Sequence, residues 1–184
     1  MQKYILEQSD TETYTSHAGL SLVGLCLNNY GNINKALKSI PLRHGISHSD
    51  IIKSYIGILS LGKSDFEAIE NYRHDSHFKT SISIKQIPSA PRLRQRLDEQ
   101  ADRLLPILHN SNIESMVNAK VPVTALTMGH VALDIDVYPM NNEKTKKEGV
   151  SRTYKGYDGY APIAAYLGNE GWCLANELSE VKQH

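Results

Sequence analysis

Two aspartates stand one residue apart in the apolar run His130–Pro139, HVALDIDVYP. Side chains alternate along a strand, so Asp134 and Asp136 share one face with Ala132 and Tyr138. Val131, Leu133, Ile135 and Val137 take the other. Paired carboxylates suit hard cations such as Mg²⁺ or Mn²⁺. Two such ions can activate an attacking oxygen and stabilise a leaving one in phosphoryl transfer. Asp is depleted in strands, and neighbouring carboxylates repel unless water, a cation or a proton separates them. The flanking residues predict a core strand. A solvated face of an antiparallel sheet is the plainer account of the aspartates on spacing alone, since an Asp-x-Asp pair is common.

Other chemistry is sparser. Arg92, Arg94 and Arg96 in PRLRQRLDE lie near a helix start, where they could grip phosphates or enter a major groove. Asp98, Glu99 and Asp102 follow closely, which also fits a salt-bridged solvent face. EKTKKE, residues 143–148, is a basic loop beside the aspartate strand. His44 with His48, and His74 with His77, have spacings that suit a metal but bring no cysteine or third ligand. The tyrosines of TYKGYDGY read as strand packing. No glycine-rich phosphate loop, Ser-His-Asp arrangement or Cys-His pair is present.

These residues must be held by a chain of 184 residues, 40% hydrophobic and 22% charged, as expected of a globular protein of one sizeable or two small domains. Lys plus Arg and Asp plus Glu are both 20. Zero net charge gives no global pull towards nucleic acid or membrane, so any DNA binding rests on local patches. Cys26 and Cys173 read as reduced, Cys26 as core, in a cytoplasmic setting. No signal peptide or membrane span is visible.

The texture changes near residue 120. Before it the chain reads helical. HAGLSLVGLCLNNYG ends on a stop signal. SHSDIIKSYIGILSLG offers Ser47 or Ser49 as a cap, a core face of Ile51, Ile52, Tyr55, Ile56, Leu59 and Ser60, and Gly62 as its close. SDFEAIENYR predicts a short helix capped by Ser64, with Glu67 completing a capping box. IPSAPRLRQRLDEQADRLLPIL predicts the longest helix, kinked or ended by Pro106. After residue 120 the pattern predicts three strands. They are HVALDIDVYP, SRTYKGYDGYAPIAAYL and WCLANELSE, with MNNEKTKKEGV as a loop or hairpin tip and GNEG as a turn. Two or three antiparallel strands need more partners or a covering helix, so the sheet reads as interrupted.

In order along the chain, TSHAGLSLVGLCLNNYG, SHSDIIKSYIGILSLGKSDFEAIENYR, IPSAPRLRQRLDE, HVALDIDVYPMNN and KGYDGYAPIAAYLGNEGWCLANEL resemble the DDE-type transposases of bacterial insertion sequences. The resemblance implies an α+β chain. Residues 1–120 form a helical, DNA-binding region, and residues 121–184 the first three strands of an incomplete ribonuclease-H-like mixed sheet. It implies that Asp136, with Asp134, is the first acid of a metal-binding triad using Mg²⁺ or Mn²⁺. The second Asp and the Glu are expected beyond His184. The chain then reads as the N-terminal portion of a transposase, inactive alone. The implied partner is double-stranded DNA at transposon ends, with Arg92, Arg94, Arg96 and Lys155 as contacts. A homodimer, or a mixed dimer with full-length transposase, is a further expected partner. Its place is the bacterial cytoplasm, at the nucleoid. The alternative is a non-enzymatic DNA-binding repressor of the parent transposase. A less favoured third reading is a small metal-dependent nuclease using both aspartates.

Overall fold

The computed structural model describes residues 11, 14–42 and 44–178. It is an α+β chain of two compact units, residues 1–107 and 108–184. Among the described residues no helix is long and apolar enough to cross a membrane.

The first unit is helical. α1 (Leu20–Asn29) is followed by α2 (Ile33–Ala36), a 3₁₀ turn (Leu37–Ser39) and α3 (His48–Ser60). Ser47 is the α3 cap, its hydroxyl accepting from the Asp50 amide at 3.0 Å. The buried face of α3 is rotated from the predicted one. Leu59 and Ser60 are exposed, while Lys53, Ser54, Gly57 and Ile58 are buried. Lys53 Nζ donates to Asn28 Oδ1 at 3.3 Å. Burial lowers the Lys53 pKa, against the pull of the Asp50 charge.

The predicted short helix is present as a 3₁₀ helix, Phe66–Tyr72. Its cap is Asp65, one residue after the predicted Ser64, with Oδ1 accepting from the Ala68 amide at 2.8 Å. No capping box closes, because Glu67 is turned away to Arg94. α4 (Ser76–Ser81), capped by Asp75, was not signalled by its largely polar sequence. Cys26, expected in the core, is exposed, and both cysteines are free. The core gathers Leu20, Ile51, Ile58, Ile69, Phe78, Ile82 and Leu93.

α5 (Ala90–Ala119) has 30 residues and does not end at Pro106, which lies inside it. Asp102 and Pro106 are both exposed, so the carbonyl deprived of its partner faces water, which satisfies it. The first amide of α5, from Ala90, is taken at 2.6 Å by Glu70 Oε1. That bond holds the Glu70 carboxyl below its ordinary pKa.

The second unit holds two small antiparallel sheets. β1 (Leu133–Val137), β5 (Ile163–Leu167) and β6 (Trp172–Glu177) form one, in the order β1-β5-β6. β2 (Met140–Asn141), β3 (Ser151–Arg152) and β4 (Asp158–Tyr160) form the other, in the order β2-β4-β3. The predicted single strand over residues 151–167 is thus three strands. Gly156 at φ 85° turns the chain between β3 and β4, and Pro162 has no amide to continue the ladder from β4 into β5. Trp172 Nε1 donates to the Pro122 carbonyl at 2.7 Å, and Asn112 Nδ2 to the Cys173 carbonyl at 2.9 Å. Glu170 accepts from the amide and hydroxyl of Thr124, chiefly the hydroxyl bond lowering its pKa.

His48 gives the first unit a pH response. It is 5% exposed. Burial depresses its pKa below 6.5, the Pro41 carbonyl opposing this and the Arg96 charge adding to it. Between the folded value and 6.5 the unfolded chain holds more protons, so stability is full above 6.5 and falls as the pH drops towards the folded value. Urea midpoints at about pH 7.5 and about pH 5.5 are expected to differ, the lower pH being less stable, and His48→Leu should shrink the difference.

Candidate functional site

β1 presents Asp134 and Asp136 on one face. Its ladder sets Asp134 opposite Tyr166 and Asp136 opposite Ala164, and Ala164 in turn faces Asn176 on β6. With strands about 4.8 Å apart, Asn176 lies about 10 Å across the sheet from Asp136. Asn176 Nδ2 donates to the Tyr138 hydroxyl at 2.7 Å. That bond passes over β5 between Pro162 and Ala164, both buried. The aspartates sit beside this polar bridge. Both are exposed, and neither carboxylate makes a hydrogen bond or ion pair with another described residue. Same-face positions on a strand are about 7 Å apart, within reach of a shared ion or ion pair through flexible carboxylates.

β1 is not the core strand that its apolar residues predicted. Leu133 is 57% and Ile135 59% exposed, so the face opposite the aspartates is open. Among the described residues the strand pairs on one side only, with β5.

The donors present fit the chemistry of a hard divalent cation. Such an ion is usually held by one or two carboxylates, water and substrate phosphates. Unpaired aspartates on a strand supply the carboxylates. Among the described residues, no group of three or more His, Cys, Asp or Glu side chains is placed to hold a metal ion. Asp134 and Asp136 could supply two carboxylates to such an ion, and the remaining donors would have to come from water or substrate phosphates. The partner position Asn176 carried no sequence signal, since only the β5–β6 register brings it across from Asp136.

The three arginines do not form one patch. At 3.6 residues per turn, Arg94 lies on the opposite side of α5 from Arg92 and Arg96. Arg92 is exposed and donates to Gln95 at 3.1 Å. Arg94 pairs with Glu67 at 2.7 Å and lies 5.3 Å from the centre of the Phe66 ring. Arg96 is 9% exposed, too buried to meet a duplex.

In the second unit, Lys155 sits at the β3–β4 turn, exposed, its Nζ 5.9 Å from the Tyr154 ring centre. The β2–β3 loop carries Lys144, Lys146 and Lys147, all exposed. β2 follows β1 after two residues, so this basic hairpin region grows directly from the end of the aspartate strand. Close approach of β2 and β4 needs Gly159, where a Cβ would lie 1.9 Å from the Met140 carbonyl oxygen.

Compared with protein-family models, curated proteins and solved structures, the chain finds no match to any of them.

Proposed function

We propose that this chain acts in DNA transposition, in the manner of the DDE-type transposases that its sequence resembles. It binds double-stranded DNA at transposon ends. Asp136, assisted by Asp134, supplies the first acid of a Mg²⁺ or Mn²⁺ site on a ribonuclease-H-like sheet. One observation carries the reading. Three antiparallel strands lie in chain order, β1-β5-β6, with two unpaired carboxylates on the first. The free side of β1 and its open apolar face fit a mixed sheet that continues beyond that strand. When bound, the ions would activate water against the DNA strand and stabilise the departing oxygen. The carboxylates' part is to hold the ions in line with the scissile phosphate.

A second reading, a DNA-binding repressor without cleavage, is favoured by the lack of a third acid beside Asp134 and Asp136 among the described residues. The two readings share DNA binding and differ in chemistry.

A gel-shift series over salt concentration, with end-containing and scrambled duplexes, tests the shared part. End-specific, salt-sensitive binding is the expected result. Arg92→Gln and Lys155→Gln should each lower the salt slope by about one. Arg94→Gln should change it less, because Glu67 already matches that charge. Equal binding to both duplexes, unaffected by either variant, would remove the proposal. Incubation with Mn²⁺ tests the chemistry of this chain by itself. Binding without cutting is the expected result, since a chain that supplies only the first acid of the triad is inactive alone. Cutting of the end-containing strand that disappears in Asp134→Ala/Asp136→Ala would make the chain a nuclease in its own right and remove the repressor reading.

A further inference from the structure

The tyrosines of TYKGYDGY, read from the sequence as packing residues, divide in the structure. Tyr157 Oη donates to the Pro139 carbonyl at 2.9 Å and Tyr160 Oη to the Glu148 carbonyl at 2.5 Å, so both are tied to neighbouring segments. The expected packing fails at Tyr154. It is 72% exposed, and its hydroxyl makes no hydrogen bond with another described residue. A bare ring in water forfeits the burial that an aromatic side chain ordinarily gains.

The backbone nevertheless fixes where this ring stands. Tyr154 and Lys155 are the two central residues of the turn between β3 and β4, closed by the Gly156 amide donating to the Thr153 carbonyl at 3.0 Å. Thr153 is 4% exposed and anchors the turn. Its amide, at 2.8 Å, and its hydroxyl, at 2.7 Å, both donate to the Tyr157 carbonyl. The apex thus presents Tyr154 from a hydrogen-bonded hairpin.

The second observation is the charge around the ring. The Lys155 ammonium lies over it, 5.9 Å from the centroid. Arg152 reaches the same turn, its Nη2 lying 4.0 Å from where a Gly156 Cβ would stand. Its pairing with Asp158 is loose, at 3.7 Å between exposed side chains, and yields readily to a phosphate. From residue 143 to 158, five Lys or Arg stand against three Asp or Glu. Protein interfaces are enriched in tyrosine but depleted in lysine, so this surround favours a nucleic acid over a protein partner. An exposed ring beside cations is what single strands use, a base stacking on the ring while backbone phosphates meet the charges. An intact duplex keeps its base faces within the stack, so a stacking ring selects DNA with an unpaired base.

We propose that the β3–β4 turn binds single-stranded DNA adjoining a duplex, with Tyr154 stacked on an unpaired base and Lys155 and Arg152 on the flanking phosphates. This rests on the DNA binding proposed above, though not on its end specificity, and it names the form of DNA that the hairpin takes. Because stacking uses the face that all bases share, the preference is for an unpaired tail of any sequence.

The test is fluorescence anisotropy of the full chain on end-containing and scrambled duplexes, each blunt or carrying a short single-stranded tail. The tailed form of either duplex is expected to bind about tenfold more tightly than its blunt form, the equivalent of one stacked base. Tyr154→Ala should bring that ratio to about one while melting with the parent, since the position is exposed. Tyr154→Phe and Tyr154→Trp should keep it, because stacking needs the ring and not the hydroxyl. With 5-iododeoxyuridine in the tail, near-ultraviolet irradiation should cross-link the DNA at Tyr154. The proposal is overturned if the parent does not prefer the tail, if Tyr154→Ala still does, or if the cross-link maps elsewhere. It is equally overturned if Tyr154→Ala weakens tailed and blunt duplexes alike, which would assign the ring to the duplex itself. The scrambled duplexes keep the two readings apart. A Tyr154-dependent tail preference without end specificity removes transposition and leaves this proposal standing, and end-specific binding without a tail preference does the reverse. Absence of binding to any of these DNAs removes both.

Discussion

Phe78→Ala is expected to cost about 4 kcal/mol of stability, the largest loss from any single truncation in the first unit. The ring is fully buried and stacks on Tyr72 with centroids 4.8 Å apart and planes 22° from parallel. It sits at the meeting of α4, α3 and the 3₁₀ helix, where Ile58, Ile69 and Ile82 also converge. Those elements are held at their ends by side-chain caps and cannot readily collapse into the void. A urea midpoint that falls steeply with an unchanged slope is the expected readout. Gly57 offers an internal control. A Cβ there would lie 2.6 Å from the Phe78 ring, so Gly57→Ala should destabilise the parent but far less the Phe78→Ala protein. Additive losses in the double variant would mean that the two positions do not touch.

Gly24→Ala is expected to cost about 3 kcal/mol, although alanine is the better helix former by about 1 kcal/mol. The helix here has given up propensity for proximity. A Cβ at position 24 would stand 1.6 Å from the Ser81 carbonyl oxygen and 3.2 Å from the Ile82 Cα. Both obstacles are backbone, so no rotamer change relieves them, and α1 must lift away from α4. Lifting it would also stretch the Ser21–Ser81 hydroxyl pair at 3.0 Å and the Asn28–Ser83 bond at 2.8 Å. Thermal melting measures this directly. A variant as stable as the parent would show that α1 does not pack on α4 at this distance.

Some of this architecture was legible in the sequence. Ser47 before an apolar-periodic run marked the start of α3, because an N-cap is a local device whose partner lies three residues away. The change from helical to strand texture near residue 120 was visible for the same reason. What depended on distant partners was not. Glu70 binding the first amide of α5 involves two segments 20 residues apart, and no local pattern announces it. Lys53 reads as a surface residue until Asn28 and Asp50 are found around it. The tyrosine-rich segment looked like one strand because its composition is uniform, while one glycine and one proline cut it into three. The arginines were grouped by sequence proximity, although helical geometry already sends Arg94 away from Arg92 and Arg96. The apolar alternation of β1 showed a face in need of cover, and periodicity alone does not say whether the cover is present.

The aspartates have a consequence beyond any metal. Among the described residues, β1 leaves one flank of hydrogen-bonding groups without a strand beside it, next to apolar Leu133 and Ile135. A bare edge of that composition is a template for accretion of like chains. An antiparallel copy centred on Ile135 would put Asp134 against the neighbour's Asp136, and Asp136 against its Asp134. Each such pairing sets anion against anion at the closest cross-strand spacing. The carboxylates thus act as gatekeepers, making the edge inhospitable to its own twin while leaving it open to a strand of different sequence.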